Sequence, residues 1–144
     1  MGHFAFWQKW LFIVGLILTF FGITFALFSG TFLFKVFDTQ INPSFWGTPE
    51  IPDIATDEFQ QWIYGVLGAT IAGWGVFLAF IAHYPFKKHE LWAWNCILVG
   101  IIVWYLLDTG ISLYFQVYFN AVFNAVLLAL VIIPLGFSRR HFKS

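Results

Sequence analysis

The chain has 144 residues, of which 60% are hydrophobic and 10% charged, and its formal net charge is zero. Soluble domains carry roughly 25% charged residues, so a water-exposed globule is excluded, and the neutral balance gives no basis for nucleic acid binding. Cys96 is the single cysteine, which leaves no disulfide framework and no thiolate metal cluster. Asn42-Pro43-Ser44 has proline in its middle position and so is no glycosylation acceptor. The opening Met1-Gly2-His3-Phe4-Ala5-Phe6 lacks the serine or threonine of a myristoylation signal.

The first apolar run, Trp10–Phe34, is longer than the ~7–15 residues of a signal-peptide core and is expected as a retained membrane helix. Residues 36–58 follow as a long acidic loop with Asp38, Glu50, Asp53, Asp57 and Glu58. Asn42-Pro43, Thr48-Pro49 and Ile51-Pro52 around Phe45-Trp46-Gly47 are turn chemistry. Such a loop folds either as a lid over the bundle or as an amphipathic segment resting in the headgroups. A second span covers 61–82 and starts earlier if Asp57 and Gln60 form a capping box. His83-Tyr84-Pro85 ends it, because proline disfavours helical geometry in the residue before it. A third span covers 91–113 and a fourth 119–135, its end loosened by Pro134 and Gly136. About 20 residues cross the ~30 Å hydrocarbon layer. Backbone groups there must be satisfied internally, and no alternation of period two points to a barrel. The expected architecture is one all-α polytopic domain over 1–144, a four-transmembrane-helix bundle with a long first extracytoplasmic loop.

Basic residues near span ends set orientation. Lys9, Lys87, Lys88, Arg139, Arg140 and Lys143 fall on one side of a four-span chain, and Lys35 on the other. Both termini are therefore expected in the cytoplasm of a bacterial cell, with the protein in the plasma membrane. Trp7, Trp10, Trp46, Trp62, Trp92 and Trp94 lie near the expected interfaces, as aromatic belts do. His3, His83, His89 and His141 gather at the cytoplasmic boundary without the i, i+4 spacing of a zinc pair, so no metal is expected. Beside Lys87 and Lys88 they suit anionic headgroups.

Close helix approach in lipid needs small residues. They form stripes at Gly65/Ala69/Gly73 beside Gly68 and Ala72, at Gly22/Ala26/Gly30, and at Ala121/Ala125/Ala129. Such stripes serve packing within the bundle, or association with a second copy or a larger complex, here through Gly65/Ala69/Gly73.

Asp108 is the only acid inside any span, and an ionisable residue there points to function by default. Counted from Leu91 at 1.5 Å per residue, it lies about 26 Å along its helix, in the outer leaflet. Ser112 is one turn onward. If the chain turns near Gln116, Ser112 faces Asn120 and Asp108 faces Asn124. Tyr64 and Gln61 stand at similar depth on the second span. Asp108, Ser112, Asn120, Asn124, Tyr64 and Gln61 are the candidate ligand-binding residues. Three roles compete for them: hydrogen bonds that fix helix register, a pocket for a small polar or amphipathic ligand, and proton or ion movement. The inner half of the bundle offers no chain of titratable groups for the last of these. No nucleophile motif or phosphate loop occurs, no histidine lies within a span for haem, and no cofactor is expected.

Tyr64–Ala69, Ala72–Gly75, Leu91–Trp94, Trp104–Ser112 and Asn120–Asn124 together resemble small bacterial four-helix membrane proteins of the BphX-like type. The resemblance covers about half of the chain. It implies the same fold class and carries no established activity or site residue. The expectation is a non-enzymatic membrane protein that binds a small ligand or lipid, or serves as an accessory component. A proton-coupled or enzymatic role for Asp108, and a small subunit of a larger complex, are the alternatives.

Overall fold

The structure is a computed structural model describing residues 2–142; Met1 and the basic residue Lys143 lie outside the described residues. The chain is all-helical: α1 (Gly2–Phe28), α2 (Lys35–Trp46), α3 (Ile54–His83), α4 (Leu91–Tyr114) and α5 (Tyr118–Ser138), closed by a 3-10 turn at Arg139–His141. Four of these helices are long and apolar enough to cross a membrane. Phe20, Phe80, Leu106 and Val122, one from each, are 60–72% exposed. Water would penalise such surface, whereas lipid is its natural solvent, which marks an integral membrane protein.

The first helix is displaced from the expected 10–34. It starts at Gly2, and it stops at Phe28 because Thr31 turns back, its amide and hydroxyl both donating to the Phe28 carbonyl at 3.0 and 2.7 Å. The early start brings Gln8 into the bundle, where it is buried and donates to the Ala82 carbonyl at 3.0 Å.

Glycines weld α1 to α3. A Cβ built on Gly68 would lie 2.5 Å from the Ala26 amide nitrogen, and one on Gly15 2.6 Å from that of Ala79. Gly22 and Gly75 are as tightly faced by the opposite backbone. The packed ridge of α3 is thus Gly68/Ala72/Gly75/Ala79, one face away from Gly65/Ala69/Gly73. Gly73 has nothing within 4 Å, and Gly65 only grazes the Ala26 carbonyl at 3.8 Å.

Pro134 does not end α5, which continues to Ser138. Proline has no N–H for the carbonyl of the residue four positions before it, here Leu130. The Trp10 indole nitrogen donates to that carbonyl at 3.0 Å. The donor that lipid cannot supply comes from the neighbouring helix.

The segment expected as an irregular loop over 36–58 contains a helix. Pro43 lies inside α2, and Gly47, at φ 72°, is its left-handed C-cap, donating to the Pro43 carbonyl at 3.1 Å. The buried Asn42 amide ties the following turn down through the Pro49 carbonyl at 3.1 Å. The cap of α3 is Asp53, whose carboxyl accepts from the Thr56 amide at 2.8 Å, and not Asp57 with Gln60. The α2 helix crosses one end of the bundle. Phe37 packs edge-on against Phe119 at 5.6 Å, Phe45 meets Phe115 at 5.7 Å, and Ser44 donates to the Gln116 carbonyl at 3.2 Å.

The opposite end, where the termini meet the α3–α4 turn, is sealed by aromatic rings. Phe4 contacts Phe86 at 5.8 Å, His89 at 4.1 Å and His141 at 5.1 Å. From there an apolar core through Leu11, Ala82, Ala93, Ile97 and Leu135 fills the terminal half of the bundle.

Candidate functional site

Two polar clusters form towards the α2 end. The first joins α2 to α3. Gln60 Nε2 lies 2.9 Å from Asp38 Oδ1, 2.9 Å from Asn42 Oδ1 and 2.8 Å from the Tyr64 hydroxyl. An amide nitrogen has two hydrogens for these three acceptors. The Tyr64 hydroxyl, which also hydrogen-bonds Asp38, supplies another. Tyr64 is buried, and Phe25 at 5.1 Å backs its ring. Gln61 points elsewhere: it is exposed and donates to Asp57 at 2.9 Å.

Burial pushes the half-buried Asp38 carboxyl above its ordinary value, against the opposing hydrogen bond from Tyr64, with Asp57 adding repulsion and Lys35 and Gln60 relieving part of it. The folded form then binds its proton more tightly than the unfolded chain, so stability falls as pH rises from the ordinary aspartate range through the raised value. Asp38→Asn keeps an acceptor for Gln60 and cannot ionise. Its melting temperature is expected to exceed that of the wild type at about pH 7 and to converge with it near pH 3, below the ordinary aspartate value. An offset that is the same at both pH values would show that ionising Asp38 carries no penalty.

The second cluster joins α4 to α5. A three-residue connection, with Gln116 at φ 61°, sets the two helices in register. Asp108 Oδ1 accepts from Asn120 Nδ2 at 2.6 Å and Asn124 Nδ2 at 2.7 Å, with Ser112 Oγ at 3.3 Å. Ser112 donates chiefly to the Asp108 carbonyl at 2.7 Å and accepts from Asn120 at 2.8 Å. Thr109 Oγ1 takes the other Asn124 hydrogen at 3.2 Å. Among the described residues no group donates to Asp108 Oδ2. Asp108, Ser112, Asn120 and Asn124 therefore form one site, while Tyr64 belongs to the α2–α3 cluster and Gln61 to neither. Sequence reasoning passed over Asp38, Asn42, Gln60 and Thr109. The Gln60–Tyr64 spacing of four was the available signal for Gln60, since it puts both on one helix face.

An apolar cleft leads to the second cluster. Although joined by a short turn, α3 and α4 barely touch along their lengths. Between them lies a cavity of about 360 Å³, within the range of small-molecule sites. Its walls include Leu67, Ile71, Gly100 and Trp104, Val14 and Leu18 on α1 form its floor, and Asp108, Asn120 and Asn124 form its polar end. Trp74 and Trp104 bridge the two walls, with ring centroids 5.5 Å apart. Among the described residues no three His, Cys, Asp or Glu side chains converge on a metal position. Comparison of the chain with protein-family models, with curated proteins and with solved structures finds no match.

Proposed function

We propose that this is a bacterial plasma-membrane protein that binds an amphipathic molecule drawn from the bilayer, its apolar chain in the α3–α4 cleft and its polar group at Asp108. One observation carries the reading. An apolar cavity ends on Asp108, the one acid among its described lining residues, and one oxygen of that acid has no donor among the described residues. A network serving register alone needs no cavity beside it. The Ser112 hydroxyl donates chiefly to the Asp108 backbone carbonyl at 2.7 Å and is no activated nucleophile, which favours binding over catalysis. Lys9, Lys87, Lys88, Arg139 and Arg140 belong to the terminal end, which supports a cytoplasmic position for that end. Asp108 then lies in the outer leaflet, with α2 as its extracytoplasmic cover.

Gly100 offers the test, because it lines the cleft and a Cβ on it meets nothing within 4 Å. Gly100→Leu should fold normally and fill the cavity. Native mass spectrometry of protein extracted in mild detergent should show a bound small molecule on the wild type and its loss from Gly100→Leu. Identical adducts on both proteins would sink the reading.

A further inference from the structure

The carboxyl of Asp108 fixes the orientation of both facing amides. Because its Oδ1 takes a hydrogen from Asn120 Nδ2 and another from Asn124 Nδ2, both amide oxygens must turn away from it. Asn120 Oδ1, Asn124 Oδ1 and Asp108 Oδ2 accept no hydrogen bond from any described residue. All three side chains line the cleft, and Asn124 is only 1% exposed. Of the two neighbouring hydroxyls, Ser112 Oγ donates to the Asp108 carbonyl, and Thr109 is not among the residues that line the cleft. Among the described residues no lysine, arginine or histidine lines the cavity. Its polar end, formed by Asp108, Asn120 and Asn124, therefore presents acceptors, and Trp104 lines the cleft one turn below it.

We infer that the group bound at Asp108 is the protonated amine of a single-chain lipophilic amine or amino alcohol. A primary ammonium has three hydrogens, matching three acceptors, and its charge is complementary to the carboxyl. A plain alcohol has one hydrogen and leaves two acceptors unmet. A carboxylate or phosphate meets only acceptors and is repelled. The inference rests on the proposed binding role of the cleft.

Three probes with the same chain separate these cases: dodecylamine, 1-dodecanol and dodecanoate. Each is titrated into the protein in phosphatidylcholine nanodiscs, following tryptophan fluorescence relative to empty discs, with Gly100→Leu as the blocked reference. Dodecylamine is expected to bind at least about tenfold more tightly than 1-dodecanol, the scale of one charged hydrogen bond, and dodecanoate to give no saturable signal. Asp108→Asn should bring the amine down to the affinity of the alcohol, and its thermal unfolding in the same discs serves as the folding control. Equal amine and alcohol affinity in the wild type, or an amine preference that survives Asp108→Asn, would overturn the inference and leave the cleft standing as a binding site. If no probe gives a signal that Gly100→Leu removes, the binding role of the cleft falls with it.

Discussion

Gly68→Val is expected to prevent assembly of the bundle, destabilising it by more than about 3 kcal/mol. Overpacking a core typically costs about 1–3 kcal/mol when neighbouring side chains can move aside. Here the obstacles are backbone. The added Cβ would stand 2.5 Å from the Ala26 nitrogen and 2.7 Å from the Gly22 carbonyl oxygen. Relief requires α1 to move out, which also breaks the Gly15–Ala79 and Gly75–Thr19 approaches along the same ridge. Gly73→Val on the same helix introduces the same β-branched residue where nothing lies within 4 Å, and should stay within about 0.5 kcal/mol of the wild type. Thermal unfolding followed by size-exclusion chromatography in detergent compares the two. Similar losses for both would show that helix propensity, and not the α1–α3 seam, governs the result.

Asp108→Ala is the second large effect, with an expected loss of about 1–3 kcal/mol. Removing the carboxyl takes the shared acceptor from two amides at once. Asn120 retains Ser112 at 2.8 Å, but Asn124, buried at 1% exposure, is left with the longer bond to Thr109 at 3.2 Å. No water in the hydrocarbon layer compensates an orphaned amide hydrogen. Asp108→Asn should lose less than about 1 kcal/mol, because an amide oxygen can still accept from both partners. Unfolding in graded denaturing detergent separates the pair. Equal losses would mean that acceptance across α4 and α5 is not how Asp108 supports the fold.

The four spans were legible because a lipid solvent selects contiguous apolar blocks, and that signal is local in sequence. Their ends were less so. Whether Pro134 ends α5 depends on a donor from Trp10, far away in the chain. Proline and glycine made α2 look like turns, although Pro43 is accommodated within the helix and Gly47 is its cap. The partnership of Asp108 with Asn120 and Asn124 could be read because a short hairpin fixes depth and little else. Gln60 and Gln61 differ by one position, which rotates a side chain by about 100° around a helix, and it is Gln60 that reaches Tyr64 while Gln61 reaches Asp57. The cleft left no trace in the sequence, since its apolar walls have the same composition as a lipid-facing surface. Likewise, the stripe at Gly65/Ala69/Gly73 and the packed ridge beside it differ only in direction.

The pairing of α1 with α3 also dictates a waiting period during synthesis. The ribosome must add roughly 55 residues between the end of α1 at Phe28 and the end of α3 at His83. At about 5–20 residues per second this takes some 3–11 seconds. Throughout that interval α1 presents Gly15 and Gly22 to the bilayer as an unoccupied notch. The insertion machinery must shield this notch or leave it to lipid until its mate arrives.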